Sequence, residues 1–126
     1  MMKTFSVFLA GTLAGIAITA FAELPKRKIG DAVRVSPRLY SVRLENERVR
    51  VLDYHLAPGQ TEQLHKHPAG VAYIISGGKI KDIGVTGEAS EGTLAAGDVH
   101  WRDKDVAHAV QNVGETELRA LIVELK

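Results

Sequence analysis

Apolar and polar side chains alternate in short runs along most of the chain, and glycine, proline or clustered polar residues interrupt the runs about every 8 to 12 positions. A period of two places alternate side chains on opposite faces of a strand, so each run predicts a half-buried β-strand. Such runs cover 38–44 and 48–56, with Glu45, Asn46 and Glu47 as a hairpin turn and Pro58-Gly59 closing the second. Further strands are expected over 64–67, 71–75, 79–83, 88–94, 99–102, 108–113 and 118–125. Gly77-Gly78, Gly84 with Gly87, Ala95-Ala96-Gly97-Asp98 and Gly114-Glu115 supply turns between them. No stretch after residue 22 sustains a 3.6-residue period, so helices have little place. Many short strands with glycine turns predict an all-β antiparallel sandwich or barrel.

The amino end departs from this pattern. Met1, Met2 and Lys3 precede an apolar run over 5–21, and Ala20-Phe21-Ala22 has the small-x-small form of a cleavage site, so 1–22 is expected to be a signal peptide. The run is short of the roughly 20 residues of a membrane span and is diluted by Gly11, Thr12, Gly15 and Thr19. Cleavage before Glu23 would leave a periplasmic or secreted chain with no membrane segment. Residues 23–37 are polar and weakly periodic, an arm with a short strand expected near 32–35, and 38–126 form the single domain.

Charge and cysteine content narrow the chemistry. The 16 basic residues include Lys3, which the leader removes, so the exported chain balances 15 basic against 15 acidic residues. A neutral chain whose one basic cluster, Lys26-Arg27-Lys28, lies beside the cleavage site does not suit nucleic acid. Edge strands that few charges protect make a homodimer an expectation, with the 48–56 strand or the preceding arm pairing across a two-fold axis. The chain has no cysteine. Disulfides, thiolate metal sites and cysteine nucleophiles are therefore excluded, and any metal must use imidazole, carboxylate or amide.

The densest candidate chemistry lies in GQTEQLHKHPAGVAYIISGG, residues 59–78. Residues i and i+2 of a strand point the same way, so His65 and His67 project in parallel from roots roughly 7 Å apart. Pro68 biases His67 toward extended backbone. Two readings are open: a pair of surface histidines, or two nitrogens converging on one ion at about 2.0 to 2.1 Å each. Gln63 shares their strand parity, and its amide oxygen is a possible fourth ligand or a group that steers bound water. A third imidazole must come from another strand, and His108 in GDVHWRDKDVAHAVQN, residues 97–112, is the candidate.

These two stretches resemble the two motifs of the cupin family. The first runs Gly59, five residues, His65-x-His67, then Gly77; the second runs Gly97, five residues, Asp103-x-Asp105, two residues, His108, three residues, Asn112. The resemblance implies a cupin-type β-barrel, the double-stranded β-helix or jelly roll, with a divalent metal on His65, His67 and His108. Two departures stand out. The family's metal-binding glutamate falls at position 71 or 72, where this chain has Val71 and Ala72, and the second motif's proline and glycine are replaced by Asp103 and Asp105. Three neutral imidazoles leave an ion its full charge and open positions for water or an anionic ligand. Iron, manganese, zinc, nickel or copper all suit such a set. Protons compete for the same nitrogens, so metal binding is expected to weaken as pH falls through about 6.5.

Function is left between two classes. One is a metal-dependent enzyme, dioxygenase-like or isomerase-like, acting on a small chelating or anionic substrate. The other is a binding or sensor protein that holds a metal or small ligand without turnover. No catalytic residue beyond the ligands is evident. His55 and His100 have no spacing that ties them to the site, and Trp101, Tyr54 and Tyr73 read as core or pocket-mouth aromatics. Glu62 has the wrong parity relative to His65, and nothing in the sequence locates Glu124.

Overall fold

The computed structural model describes residues 28–126, so the expected signal peptide over 1–22 and the first part of the arm lie outside the described residues. Among the described residues one short helix, α1 (Ala32–Val35), precedes nine strands: β1 (Tyr40–Glu45), β2 (Val49–Leu56), β3 (His65–His67), β4 (Gly70–Ser76), β5 (Gly78–Gly84), β6 (Ala89–Leu94), β7 (Val99–Arg102), β8 (Val106–Asn112) and β9 (Leu118–Leu125). Among the described residues no helix is long and apolar enough to cross a membrane.

Residues 32–35 are helical, not the short strand expected there. Asp31 caps the turn by accepting from the Arg34 amide, Ala32 is fully buried, and Ser36, which precedes Pro37, ends it. The β1–β2 hairpin closes as expected, because the Asn46 side chain accepts from the amides of Arg48 and Val49. The motif glycines Gly59 and Gly97 both have φ in the left-handed region, at 79° and 90°, which a side chain would strain. Asn112 is wholly buried and donates to the carbonyl oxygens of Leu56 and Thr116, so it pins the turn before β9.

The strands form two antiparallel sheets, one in the order β1-β2-β9-β4-β7 and the other β3-β8-β5-β6. This is the expected all-β jelly roll. In β9 the burial alternates strictly, with Leu118, Ala120, Ile122 and Glu124 inward. The core joins these to Leu39, Tyr40, Leu52, Tyr54, Leu56 and Ile74. Leu52 and Leu56 are fully enclosed, each contributing about 1.5 to 3 kcal/mol of burial. The 48–56 strand is not an edge: β2 is hydrogen-bonded to β1 on one side and β9 on the other, so it has no free backbone for a two-fold partner. Among the described residues the edges are β1, β7, β3 and β6.

Candidate metal centre

The register of the smaller sheet assembles the histidines. His65 on β3 lies directly opposite His108 on β8, and His67 follows two positions along on the same face. The three rings meet edge to face, with centroids 4.8 to 5.9 Å apart, and one nitrogen of each lies within 4.8 Å of the others. His65 and His67 are buried, and His108 is partly so. Among the described residues this is the group of imidazoles and carboxylates with metal-site spacing.

Each imidazole is held from behind. His65 Nδ1 lies 2.8 Å from the Gln63 carbonyl oxygen, His67 Nδ1 2.6 Å from Glu124 Oε1, and His108 Nδ1 2.9 Å from Asp82 Oδ1. Carbonyl and carboxylate oxygens only accept, so each Nδ1 carries the proton and donates. All three neutral rings then present Nε2 as a lone pair toward one another. His65 Nε2 and His67 Nε2 are 3.1 Å apart. Two nitrogens about 2.0 to 2.1 Å from one ion, at the angles of tetrahedral or octahedral coordination, would be separated by about 2.9 to 3.4 Å. The donor set therefore fits a divalent ion.

Electrostatics favour the neutral, metal-ready state. Burial holds His65 and His67 below the usual histidine range, opposed at His65 chiefly by Glu62 and at His67 by the Glu124 hydrogen bond. Burial alone would raise the Glu124 carboxyl, but hydrogen bonds from His67 and Arg50 outweigh it and keep it below the ordinary value. The bond to His108 likewise lowers Asp82. Arg50 Nε donates to Glu124 Oε2 at 2.7 Å, and its other nitrogens donate to Asp31, the cap of α1.

Glu62 and Glu124 are the residues that sequence reasoning set aside. The parity rule failed for Glu62 because β3 begins only at His65; Thr61 makes an isolated bridge to Gln111, and the chain between is not strand. Glu62 is buried, accepts from the Tyr40 hydroxyl at 2.7 Å and from the Val110 amide at 2.9 Å, and brings the Tyr40 oxygen to 3.2 Å from His65 Nε2. For the same reason Gln63 falls outside the strand: its side chain is exposed, and only its backbone carbonyl serves the site. Glu124 shares the core face of β9 with Leu118, Ala120 and Ile122, and the apolar Leu121, Val123 and Leu125 on the other face hid that placement in the sequence.

A cavity of about 290 Å³ opens beside the histidines, lined by His67, His108 and Arg102 and by apolar residues including Ile74, Ile80 and Ile122. Ala72 also faces it, whereas Val71 lies on the opposite face of β4 beside Trp101 and Val123, so position 72 is the wall where a carboxylate ligand would stand. Tyr54 is core and lines the cavity, while Tyr73 and Trp101 are exposed on the outer sheet face. His100 lines the cavity but is outside the nitrogen cluster, and His55 is exposed, 3.9 Å from Glu117.

Three inward imidazoles with a cavity at their side give this jelly-roll barrel a candidate metal centre. The chain belongs to the cupin domain family, which its sequence matches over residues 52–124. A cupin domain structure from Bordetella pertussis Tohama I is similar at 25% identity and TM-score 0.64, covering 80% of this chain and 99% of that one. A double-stranded β-helix protein from Klebsiella pneumoniae shares the fold at 21% identity and TM-score 0.54, over 82% of this chain and 77% of that one. A structure from Thermotoga maritima described as a predicted oxalate decarboxylase matches at 27% identity and TM-score 0.50, over 69% and 79%. No functionally curated protein matches the chain.

Proposed function

We propose that this cupin is exported, holds one divalent ion on His65, His67 and His108 and presents it to a small chelating or anionic molecule in the adjoining cavity, as a metal-dependent enzyme of dioxygenase-like, isomerase-like or decarboxylase-like type. The observation that carries the reading is the set of three Nδ1 anchors, which leaves three Nε2 lone pairs converging at the cavity's end. When bound, the ion supplies Lewis acidity to a chelating oxygen. The chain's own contribution is orientation: Glu124, Asp82 and the Gln63 carbonyl fix the rings. Tyr40, whose hydroxyl burial pushes well above its ordinary value, stays protonated and donates to Glu62 beside His65.

A second reading, a metal or small-ligand binding or sensor protein without turnover, is favoured by one observation. The cavity wall at Ala72 is apolar where the family's carboxylate ligand would stand. Metal analysis of the purified protein and of single alanine variants separates these from a metal-free barrel. His65→Ala, His67→Ala and His108→Ala should each lose most of the bound metal, while His55→Ala and His100→Ala keep it. Full occupancy in His108→Ala would overturn the site. Oxygen uptake and product analysis on small diketones, phenols and oxalate then decide between enzyme and binder, turnover favouring the first and metal-loaded inactivity the second.

A further inference from the structure

Strand registers in the larger sheet line up a second set of side chains, those pointing away from the core. Leu44 on β1 faces Val51 on β2, Val51 faces Val123 on β9, Val123 faces Val71 on β4, and Val71 faces Trp101 on β7, so one row crosses all five strands without a charged side chain. The next outward row holds Leu121, Tyr73 and Val99 on the last three of those strands, and Asp53 on β2. Alternation puts both rows opposite the core face that carries Leu52, Ile74 and Ile122. An antiparallel sheet with one face on the core ordinarily turns polar residues outward. Here Val99 is 66% exposed and Trp101 56%, and Leu44, Tyr73 and Leu121 are exposed as well. Among the described residues α1 joins the core through Ala32, and these exposures show that nothing covers the outer face.

The exposed Leu125 and Ile75 extend these rows at the two ends. Strands stand about 4.8 Å apart and successive outward residues about 6.8 Å, so five strands by three to four outward positions make a face of roughly 400 to 500 Å². That is as large as the apolar patches that mark interaction sites, and joining two such faces would remove about 1,000 Å² from water, the size at which an interface becomes specific. Charges beside the face are neutralised within the chain: Asp53 is paired with Arg43 at 2.9 Å and Arg119 at 3.5 Å, and Glu45 with Lys126 at 2.6 Å. The Trp101 indole nitrogen donates to Asp103, which leaves the ring free to pack. A nucleic acid or an anionic membrane would need an unpaired basic rim. The fitting partner is flat, apolar and nearly uncharged, and this chain, with a net charge of +1, presents such a surface itself.

We propose that the outer face of the larger sheet is the interface of a homodimer, in which a second copy lays the same face against it with Leu121, Tyr73 and Trp101 of each copy near the centre. The two sheets would cross at about 30°, as aligned sheets do when they pack, with a two-fold axis between them. Such an interface leaves the backbone of every edge strand unpaired, so it differs from the edge-to-edge pairing expected from the sequence, and it lies on the side of the sheet away from the histidines.

Trp101 is the single tryptophan of the chain, so its emission reports on this face. The test follows sedimentation mass and tryptophan emission of the purified protein together, over a dilution series from roughly 100 to 0.1 μM. The mass should fall from two chains to one, and over the same range the emission should shift to the red and acrylamide quenching should rise about twofold or more as the ring enters water. Leu121→Lys sits on β9 in the middle of the sheet, away from any edge, and should weaken association at least tenfold; Trp101→Ala removes a large aromatic anchor and should do the same. Both should keep the circular dichroism of the wild type. Val85→Lys and Val113→Lys, at exposed apolar positions outside this face, should leave the dimer intact. If the dimer persists at the lowest concentration, the monomeric Leu121→Lys protein supplies the red-shifted reference, and if that variant fails to fold, Trp101→Ala and the wild-type dilution decide. A single-chain mass at the highest concentration overturns the proposal, and flotation of that monomer with phosphatidylcholine vesicles would assign the face to lipid instead. A dimer that survives both substitutions, or that dissociates with no change in tryptophan emission or quenching, has its contact elsewhere and overturns the proposal as well.

Discussion

Replacing Glu124 by glutamine changes one atom of a side chain that is 2% exposed and makes three short contacts: 2.6 Å to His67 Nδ1, 2.7 Å to Arg50 Nε and 2.6 Å to Arg50 Nη2. In the carboxylate one oxygen serves the histidine and the other the arginine. An amide can serve only one of them. With its oxygen toward His67, its NH₂ faces the Arg50 donors and a buried charge-assisted pair is lost, costing about 1.5 to 3 kcal/mol of stability. With its oxygen toward Arg50, the NH₂ faces Nδ1, and His67 must move its proton to Nε2, where a metal needs the lone pair. Loss of such an orienting partner typically weakens metal binding 10- to 100-fold, or about 1.4 to 2.8 kcal/mol. Arg50 can only donate whereas His67 can exchange tautomers, so the second orientation prevails, and Glu124→Gln should lower zinc affinity by that factor, measured against a competing chelator at pH 7.5, with a smaller fall in Tm because a neutral acceptor replaces a charged one. Zinc affinity within twofold of wild type, with Tm reduced, would refute the reasoning and leave Glu124 a purely structural partner of Arg50.

Ala72→Glu places a carboxylate on the inward wall and should tighten manganese or iron by about tenfold or more, read by metal competition; unchanged affinity would mean that the wall stands too far from the ion. At Gly70 a Cβ would lie 2.0 Å from the Val123 carbonyl oxygen, so Gly70→Ala must push β9 aside; a destabilisation of about 2 kcal/mol or more is expected in denaturant melts, with weaker zinc binding because Glu124 moves as well. His65 and His67 lie below their unfolded value of about 6.5, so the unfolded chain binds more protons there, and metal-free stability should be full above that pH and decline below it. A denaturant midpoint no lower at pH 5.5 than at pH 7.5 would contradict this. The same depression lets both rings stay neutral below pH 6.5, so metal retention should extend further into acid than unperturbed histidines allow.

The fold was legible because glycine turns and two-residue alternation agree along the chain, and the histidines because two motif spacings coincide. What lay hidden was the support behind them. In β9 both faces are mostly apolar, Leu118, Ala120 and Ile122 on one and Leu121, Val123 and Leu125 on the other, so hydrophobicity alone could not say which face carries Glu124 inward. The parity argument assumed that strand geometry extends back from His65 through Gln63 and Glu62, and the strand stops short of both. At 32–35 a short strand was expected, and the Asp31 cap with the fully buried Ala32 decided for a helix.

The hydrogen bonds that prepare the donors differ widely in chain separation. His65 and His67 are neighbours, yet the bond that fixes the His67 tautomer spans 57 residues and the one that steadies its acceptor spans 74. Closures of that length come late, after local hairpins have formed, because loop entropy must be overcome before the contact offers any return. During refolding the two imidazoles are thus together before either proton has a fixed place. Zinc added to a chain whose β9 has not yet docked meets a flexible, weak pair, and zinc added afterwards meets three aligned lone pairs, so the order of addition becomes a kinetic variable of the protein's own topology.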